Sequence, residues 1–407
     1  MRRLTGPLAT AVLTTLLLSA CAGNAAPPAS QASGARSSGP SAPSSPAVTL
    51  ERVEQSAKEH GPSALDNLAD TRLPRPLVDT ARILSGGPPP DGIPAVDQPT
   101  FQKASAVDWL DDGEGVLSLT VRGQTRAYPI QVLIWHEIVN DTVAGVPVTV
   151  SYCPLCNSAL AFDRRLGQRL FTFGTSGKLY LSDLVMYDRQ TESLWSQIEG
   201  RAIAGTLAGA ELIRLPIATV TWSQWRQAHP DGYVMARPAG SGRDYGRTPY
   251  VGYDQPTTKP FLFDGKSDDR LPPKERVVAL LDGQPLAVPL SLVAQRHVVD
   301  LGGRGRDVVI FAAAGLRSAL DAAELSAGHM IPATGVFVPR AGGRRLTFHH
   351  SGAAAGLFVD DQTGTSWNIL GEAVEGPLAG ARLSPVGHVD TFWFAWAAFR
   401  PSTLLVR

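Results

Sequence analysis

Residues 145–164 read GVPVTVSYCPLCNSALAFDR and hold the paired cysteines of the chain, Cys153 and Cys156. Val148, Val150 and Tyr152 alternate with Thr149 and Ser151, the period-two pattern of a half-buried strand running into Cys153. Ser158 to Phe162 is apolar again, so Cys-Pro-Leu-Cys-Asn is expected to turn a tight hairpin. Asn157 falls where such a turn needs positive φ, a conformation Asn tolerates better than most residues. Both sulfurs are then expected together at the exposed end of a stiff support.

The 407 residues exceed an ordinary single domain, and 37 basic residues balance 37 acidic ones, which gives no footprint for nucleic acid. Three cysteines are too few for a disulfide scaffold. One of them closes the leader: a basic start, an apolar run from Leu8 to Ala20, then Leu18-Ser19-Ala20-Cys21. This pattern predicts a signal peptide over 1–20 of the bacterial lipoprotein type, with Cys21 acylated (palmitate is the expected kind of chain) as the first mature residue. The protein is therefore expected outside the cytoplasm, its partner the lipid membrane through Cys21. Residues 21–49, rich in Ala, Ser, Pro and Gly, read as a disordered tether. Within 50–103, apolar spacing from Leu50 to Leu84 predicts two short helices, followed by a Pro/Gly-rich connector to Pro94.

Beyond it the sequence repeats. Gly123-Gln124, Ala127, Pro129 and Val148 recur 160 positions later, and Ser158-Ala159-Leu160 finds a match in Ser318-Ala319-Leu320. Asp188, Gln190-Thr191 and Trp195 match Asp360, Gln362-Thr363 and Trp367, and Trp222 with Trp225 matches Trp393 with Trp396. The expectation is an α+β, β-rich fold with largely antiparallel sheet, built as two pseudo-equivalent lobes (104–240 and 275–407) from an internal duplication, with 241–274 as a linker. In each lobe a hairpin leads to a helix that Pro129 can open and that is expected to run to about Val139; Thr221 can cap a second one. Positions present in both lobes serve the fold most economically. Reactive groups found in the first lobe alone point to a single site: Cys153 stands opposite Ala313, Cys156 opposite Leu316 and His136 opposite Arg296.

A Cys-x-x-Cys pair can cycle between dithiol and disulfide, and His136 could act as base toward Cys153. The same pair could hold a metal. Zinc wants four ligands, for which His136 is the first candidate beside the cysteines, whereas copper(I) is content with two thiolates. A purely structural pair is the third reading. Asp183, Tyr187, Asp188, Arg189 and Glu192 form a polar cluster able to line the same cleft, and His349-His350 could reach across from the second lobe.

Residues 86–101 (GGPPPDGIPAVDQPTF), 127–141 (AYPIQVLIWHEIVND), 152–156 (YCPLC) and 186–197 (MYDRQTESLWSQ) resemble the prokaryotic family catalogued as domain of unknown function 3179, over roughly 85–400. The resemblance supplies no agreed activity. Some members are described as selenoproteins and others carry Thr in place of the second cysteine, which implies chemistry centred on Cys153 with Cys156 helpful but replaceable. Leu181, where the family pattern has Asn, and Asn157, where it has Gly, depart from it. The function expected is thus a thiol oxidoreductase or peroxide-reducing lipoprotein acting on an unidentified redox partner or substrate and needing no cofactor. The alternatives are a copper or zinc protein, or a partner-binding lipoprotein. If the leader reading holds, Cys21→Ala releases the protein from the membrane fraction on fractionation; a variant that stays membrane-bound contradicts it.

Overall fold

The alternation in 145–164 becomes a hairpin in a computed structural model, which describes residues 55–352 and 357–407. Strand Val146–Cys153 pairs antiparallel with Ser158–Asp163, and Cys153 faces Ser158 across the turn. Asn157 sits at φ +52°. The strand is not half-exposed as its pattern suggested. Thr149 and Ser151 are as buried as the valines, because Gln197 covers that face and donates to Ser151 Oγ at 3.0 Å.

This hairpin is the centre of a four-stranded sheet flanked by Ile138–Val143 and Ile213–Leu215. A second sheet carries Gly115–Val121 and Gln124–Pro129, and a third carries Phe173–Tyr180 and Asp183–Asp188. Nearly all pairing is antiparallel; the exceptions include Tyr233–Met235 beside Gln124–Pro129. Helix α1 (Ile130–His136) follows Pro129 and buries Ile130, Leu133 and Ile134. It stops short of Val139: Glu137 turns to φ +57° and the β-branched Ile138 and Val139 enter the strand instead. Helix α2 (Trp222–Ala228) starts from a capping box in which Thr221 accepts from Gln224 N–H.

Residues 276–407 run through the same elements in the same order. Sheets centred on Arg276–Leu280 with Leu286–Pro289, Val309–Arg317 with Met330–Val338, and Phe358–Asp360 reproduce the strand orders of the first half, with helices α3 (Leu290–Arg296) and α4 (Trp393–Phe399) in the corresponding places. Asp188 and Asp360 play one role twice: each accepts from its turn (Thr191 or Thr363 N–H, 2.6 Å) and from an indole N–H (Trp195 at 2.9 Å, Trp367 at 3.0 Å). One matched pair fails. Thr149 pairs with Phe162 and Val309 with Phe337, so the return strand lies 175 positions along, and Ala333, not Ser318, is the counterpart of Ser158. The second hairpin keeps its strands but runs through a longer connection (318–329).

The described residues belong to one compact unit. Strand His388–Phe392 packs on Ser158–Asp163, and Ile217–Thr221 packs on Met330–Val338, so each half lays an edge strand against the central hairpin of the other. Both halves share a core that contains Val148, Phe162, Val389 and Trp396. No sheet among the described residues closes into a barrel. The segment 241–274 is no bare linker; Tyr253 N–H and Gly252 N–H bond Leu320 and Asp321 carbonyls at 2.8 and 2.6 Å. Two helices were expected within 50–84, but among the described residues of that segment only a single 3-10 turn, Thr80–Arg82, forms. Ser63, Asn67 and Asp70 side chains accept from nearby backbone N–H groups there and hold turns in place of helix. Leu65 and Leu68 still pack as the sequence pattern required, against the third sheet and beside Leu73, whereas Leu77 is exposed. The signal peptide, Cys21 and the tether lie outside the described residues.

The left-handed turn residue gives a stability test. Asn157→Ala places a Cβ-bearing residue with no local hydrogen bonding at φ +52° and removes the acceptor of Tyr152 O–H (3.2 Å). It should lower the unfolding free energy by about 1–2 kcal/mol in urea titration, whereas Asn157→Gly should lower it by clearly less. Equal losses contradict the conformational argument.

Candidate functional site

The two thiols are free and side by side with a carboxylate. Cys153 and Cys156 are not joined, and their sulfurs and a carboxylate oxygen of Asp183 all lie within 4.8 Å of one another. Each comes from a rigid place. Cys153 ends the central strand, Cys156 sits in its turn, and Asp183 begins the second strand of the neighbouring hairpin, after Leu181 and Ser182 at φ +55° and +68°. Leu181 is thus strained, since Asn enters this region more easily than Leu.

The sulfurs are not at an exposed end. Cys153 is 1% and Cys156 0% exposed, because residues 241–274 and the second half close over the turn. Leu155 carbonyl accepts from Tyr253 O–H at 3.2 Å, and Cys156 carbonyl from Phe392 N–H at 2.9 Å and Thr391 hydroxyl at 2.8 Å. Cys156 Sγ lies 3.5 Å from Ser182 carbonyl, a fit for S–H donation. Burial pushes the Cys156 thiol well above its ordinary range, and the neighbouring Cys153 and Asp183 add to the rise.

Asp183 is wholly enclosed. Its Oδ2 accepts from Ser196 hydroxyl and Ile198 N–H, both at 3.1 Å, while Oδ1 is buried without a hydrogen-bond partner. Burial lifts its pKa from 3.8 to about 7, against the pull of those donors. Glu137 is a second buried acid, raised to about 7 by burial and held by Tyr250. A cavity of about 630 Å³ opens over this region, lined by Glu137, Leu155, Leu184, Tyr250, Tyr253 and Lys274 among others. Burial brings the Lys274 ammonium down to about 8.

The sequence reading paired His136 with the thiols, but the structure occupies its ring elsewhere. Nδ1 lies 2.7 Å from Pro94 carbonyl, which can only accept, so Nδ1 carries the proton; Nε2 then accepts from Tyr245 hydroxyl at 2.7 Å. Burial lowers its pKa, and the neutral ring staples the connector and residue 245 to α1. Of the expected polar cluster only Asp183 meets the thiols. Tyr187 and Arg189 bond Asp91, Asp188 holds its own turn, and Glu192 pairs with Lys58. His349 bonds Asp361 at 2.7 Å and His350 stacks on His297 at 4.3 Å, so that pair stays within its own half.

Lys274 escaped the sequence reading because it sits at the end of the expected linker, and the run Tyr250 to Tyr253, which fits the family resemblance, carries no site role in that reading; three tyrosines at 245, 250 and 253 are the signal that this segment packs. Asp183 had a signal too. The spacing that aligns Asp188 with Asp360 sets it opposite Ala355, so it is unique to the first half, like the cysteines.

A family model described as "Protein of unknown function (DUF3179)" matches residues 90–403. The chain belongs to that family. No curated protein matches it, and no solved structure does. The matched span covers nearly all of both halves and the 241–274 segment, so the thiol pair, Asp183 and all of the cavity lining but Gly86 and Pro88 fall within the family domain.

The raised acid gives a linkage test with a definite sign. Between pH 4 and 7 the folded chain holds a proton on Asp183 that the unfolded chain, near 3.8, has lost. Stability from this group is full below about pH 4 and fades as pH rises toward 7. Relative to Asp183→Asn, which cannot ionise, the wild type should lose unfolding free energy across that window in urea titrations. A pH-independent difference between the two contradicts a buried, raised carboxyl.

Proposed function

We propose that the first half is a thiol-disulfide redox unit in which Cys153 and Cys156 reduce a hydroperoxide or a small disulfide and Asp183 handles the protons. The observation that carries the reading is the enclosed trio itself, two free thiols and a carboxyl within 4.8 Å. With a hydroperoxide, the Cys153 sulfur attacks the distal oxygen, its own proton passing through Asp183 to the departing alkoxide, and a sulfenic acid and an alcohol result. The Cys156 thiol then gives its proton to Asp183, its sulfur attacks Cys153, and the sulfenic oxygen leaves as water. The thiols lose two electrons and the peroxide gains them. A disulfide substrate follows the same order with a thiol as the leaving group. Asp183 suits the task because a carboxyl near 7 can both take and return a proton at neutral pH. It fills the role the sequence suggested for His136, whose two nitrogens are engaged.

Electrostatics favours this over the metal reading. Dithiol and disulfide are both uncharged, so neither end state places new charge in a buried site already holding two acids. A copper(I) bis-thiolate adds a net negative charge there, beside Asp183 and Glu137, and burying such a charge next to two acids is unfavourable. The donor set nevertheless suits a soft ion better than zinc: two sulfurs and one oxygen are at hand and His136 is not among them. Copper binding is thus the second reading. We also take the chain to work outside the cytoplasm, tethered to the membrane through Cys21, where a disulfide can persist, and the two halves to descend from a duplication in which only the first keeps the thiols.

The test is a stopped-flow oxidation of the reduced protein with a hydroperoxide, followed by thiol titration and intact mass. Wild type should lose both thiols within one chain, Cys156→Ser should halt at the Cys153 sulfenic acid, and Asp183→Asn should close the disulfide slower by about 10²-fold or more. His136→Ala should leave the closure rate unchanged. Thiols protected by a copurifying metal and freed by a chelator would support the copper reading in its place.

A further inference from the structure

We propose that the cavity above the Cys-Pro-Leu-Cys turn binds an amphipathic organic anion, its apolar body against Leu155, Leu184 and Phe261 and its anionic group at Lys274. The inference names the class of molecule offered to the thiols; for turnover it rests on the redox reading, for binding it does not.

The position of the cavity comes first. Leu155, the residue between Pro154 and Cys156, forms part of its wall, so a ligand held there touches the turn that carries both sulfurs. At about 630 Å³ it falls within the range of small-molecule sites, and leucine, phenylalanine and tyrosine side chains supply much of the lining. The charges are one-sided. Lys178, Lys259 and Lys274 all line it, and Glu137 is the one acid among the lining residues.

Lys274 is the decisive group. It is only 2% exposed, yet among the described residues it forms no ion pair. Nζ donates to Tyr253 carbonyl at 2.6 Å and to Thr258 hydroxyl at 2.9 Å, and it stands 3.6 Å from the centre of the Tyr253 ring. An ammonium has three protons, so one remains for a ligand. Asp254 acts on it from farther away, its Oδ2 bonded to Arg276 at 2.9 Å and its Oδ1 without a hydrogen-bond partner, and it makes no contact ion pair with Lys274. Burying a cation without a counter-ion is unfavourable, and a bound anion removes that deficit. The apolar walls make a simple inorganic anion a poor fit and a carboxylate with a hydrocarbon body a good one.

The experiment uses the full chain in nanodiscs, with empty nanodiscs as the blank, and calorimetric titration with octanoate, octanol and octyltrimethylammonium. Octanoate should bind one-to-one and about tenfold more tightly than octanol, the worth of one charge-assisted hydrogen bond, and the cation should not compete. In Lys274→Met the octanoate preference should vanish while octanol still binds, which separates lost charge from lost fold. Should that variant fail to fold, the wild-type comparison decides alone. Equal binding of octanoate and octanol to wild type, or no octanoate binding, overturns the proposal. The double variant Cys153→Ser/Cys156→Ser should bind octanoate as wild type does. Binding without reduction of either a hydroperoxide or a small disulfide would therefore sink the redox reading and leave this one standing, and reduction without binding would do the reverse.

Discussion

The carbonyl of Cys156 is held by the other half of the molecule, through Phe392 N–H at 2.9 Å and Thr391 hydroxyl at 2.8 Å. A four-residue hairpin turn is ordinarily a solvated loop, and its carbonyls are satisfied by water. Here the turn is buried, so each of its polar backbone groups needs a protein partner. Tyr253 serves Leu155 and strand His388–Phe392 serves Cys156. The second half, which carries no thiols, is in this way a lid and a clamp for the first.

Enclosure sets the chemistry that follows. Two thiols and two carboxyls buried together are most stable uncharged, and burial accordingly raises Cys156, Asp183 and Glu137 together. A reactive thiol is often kept exposed and acidic. These two are buried beside a carboxyl near 7, and on the redox reading proposed above Asp183 would serve as their base. On that reading, enclosure would shield a sulfenic intermediate from other thiols, with Cys156 beside it to resolve it.

Much of this was legible in the sequence. Period-two alternation into Cys153 marked the central strand, Asn157 marked the left-handed turn, and Thr221 marked the start of α2. The parallel runs of Asp-x-Gln-Thr and Trp pairs foretold the matching strand order of the two halves. Burial was the property least visible. Thr149 and Ser151 look like a solvent face until Gln197, forty-odd residues on, covers them. His136 looks like the natural base for a cysteine until Pro94 and Tyr245, 42 and 109 residues away, claim its nitrogens. The helices expected within 50–84 yielded to short polar side chains that bond their own backbone, a local competition that apolar spacing does not register. Long-range partners decide these points, and a linear pattern names no partner.

The account stands or falls on whether the buried pair is a reversible two-electron couple. Equilibrating the metal-free protein in glutathione buffers of graded potential, then trapping and weighing the intact chain, reads this directly. The account predicts a single transition between the dithiol and a species lighter by two hydrogens, following a two-electron Nernst slope, with the bridge mapping to Cys153 and Cys156. Thiols that stay reduced across the whole range, or that form only mixed disulfides with glutathione, would contradict it.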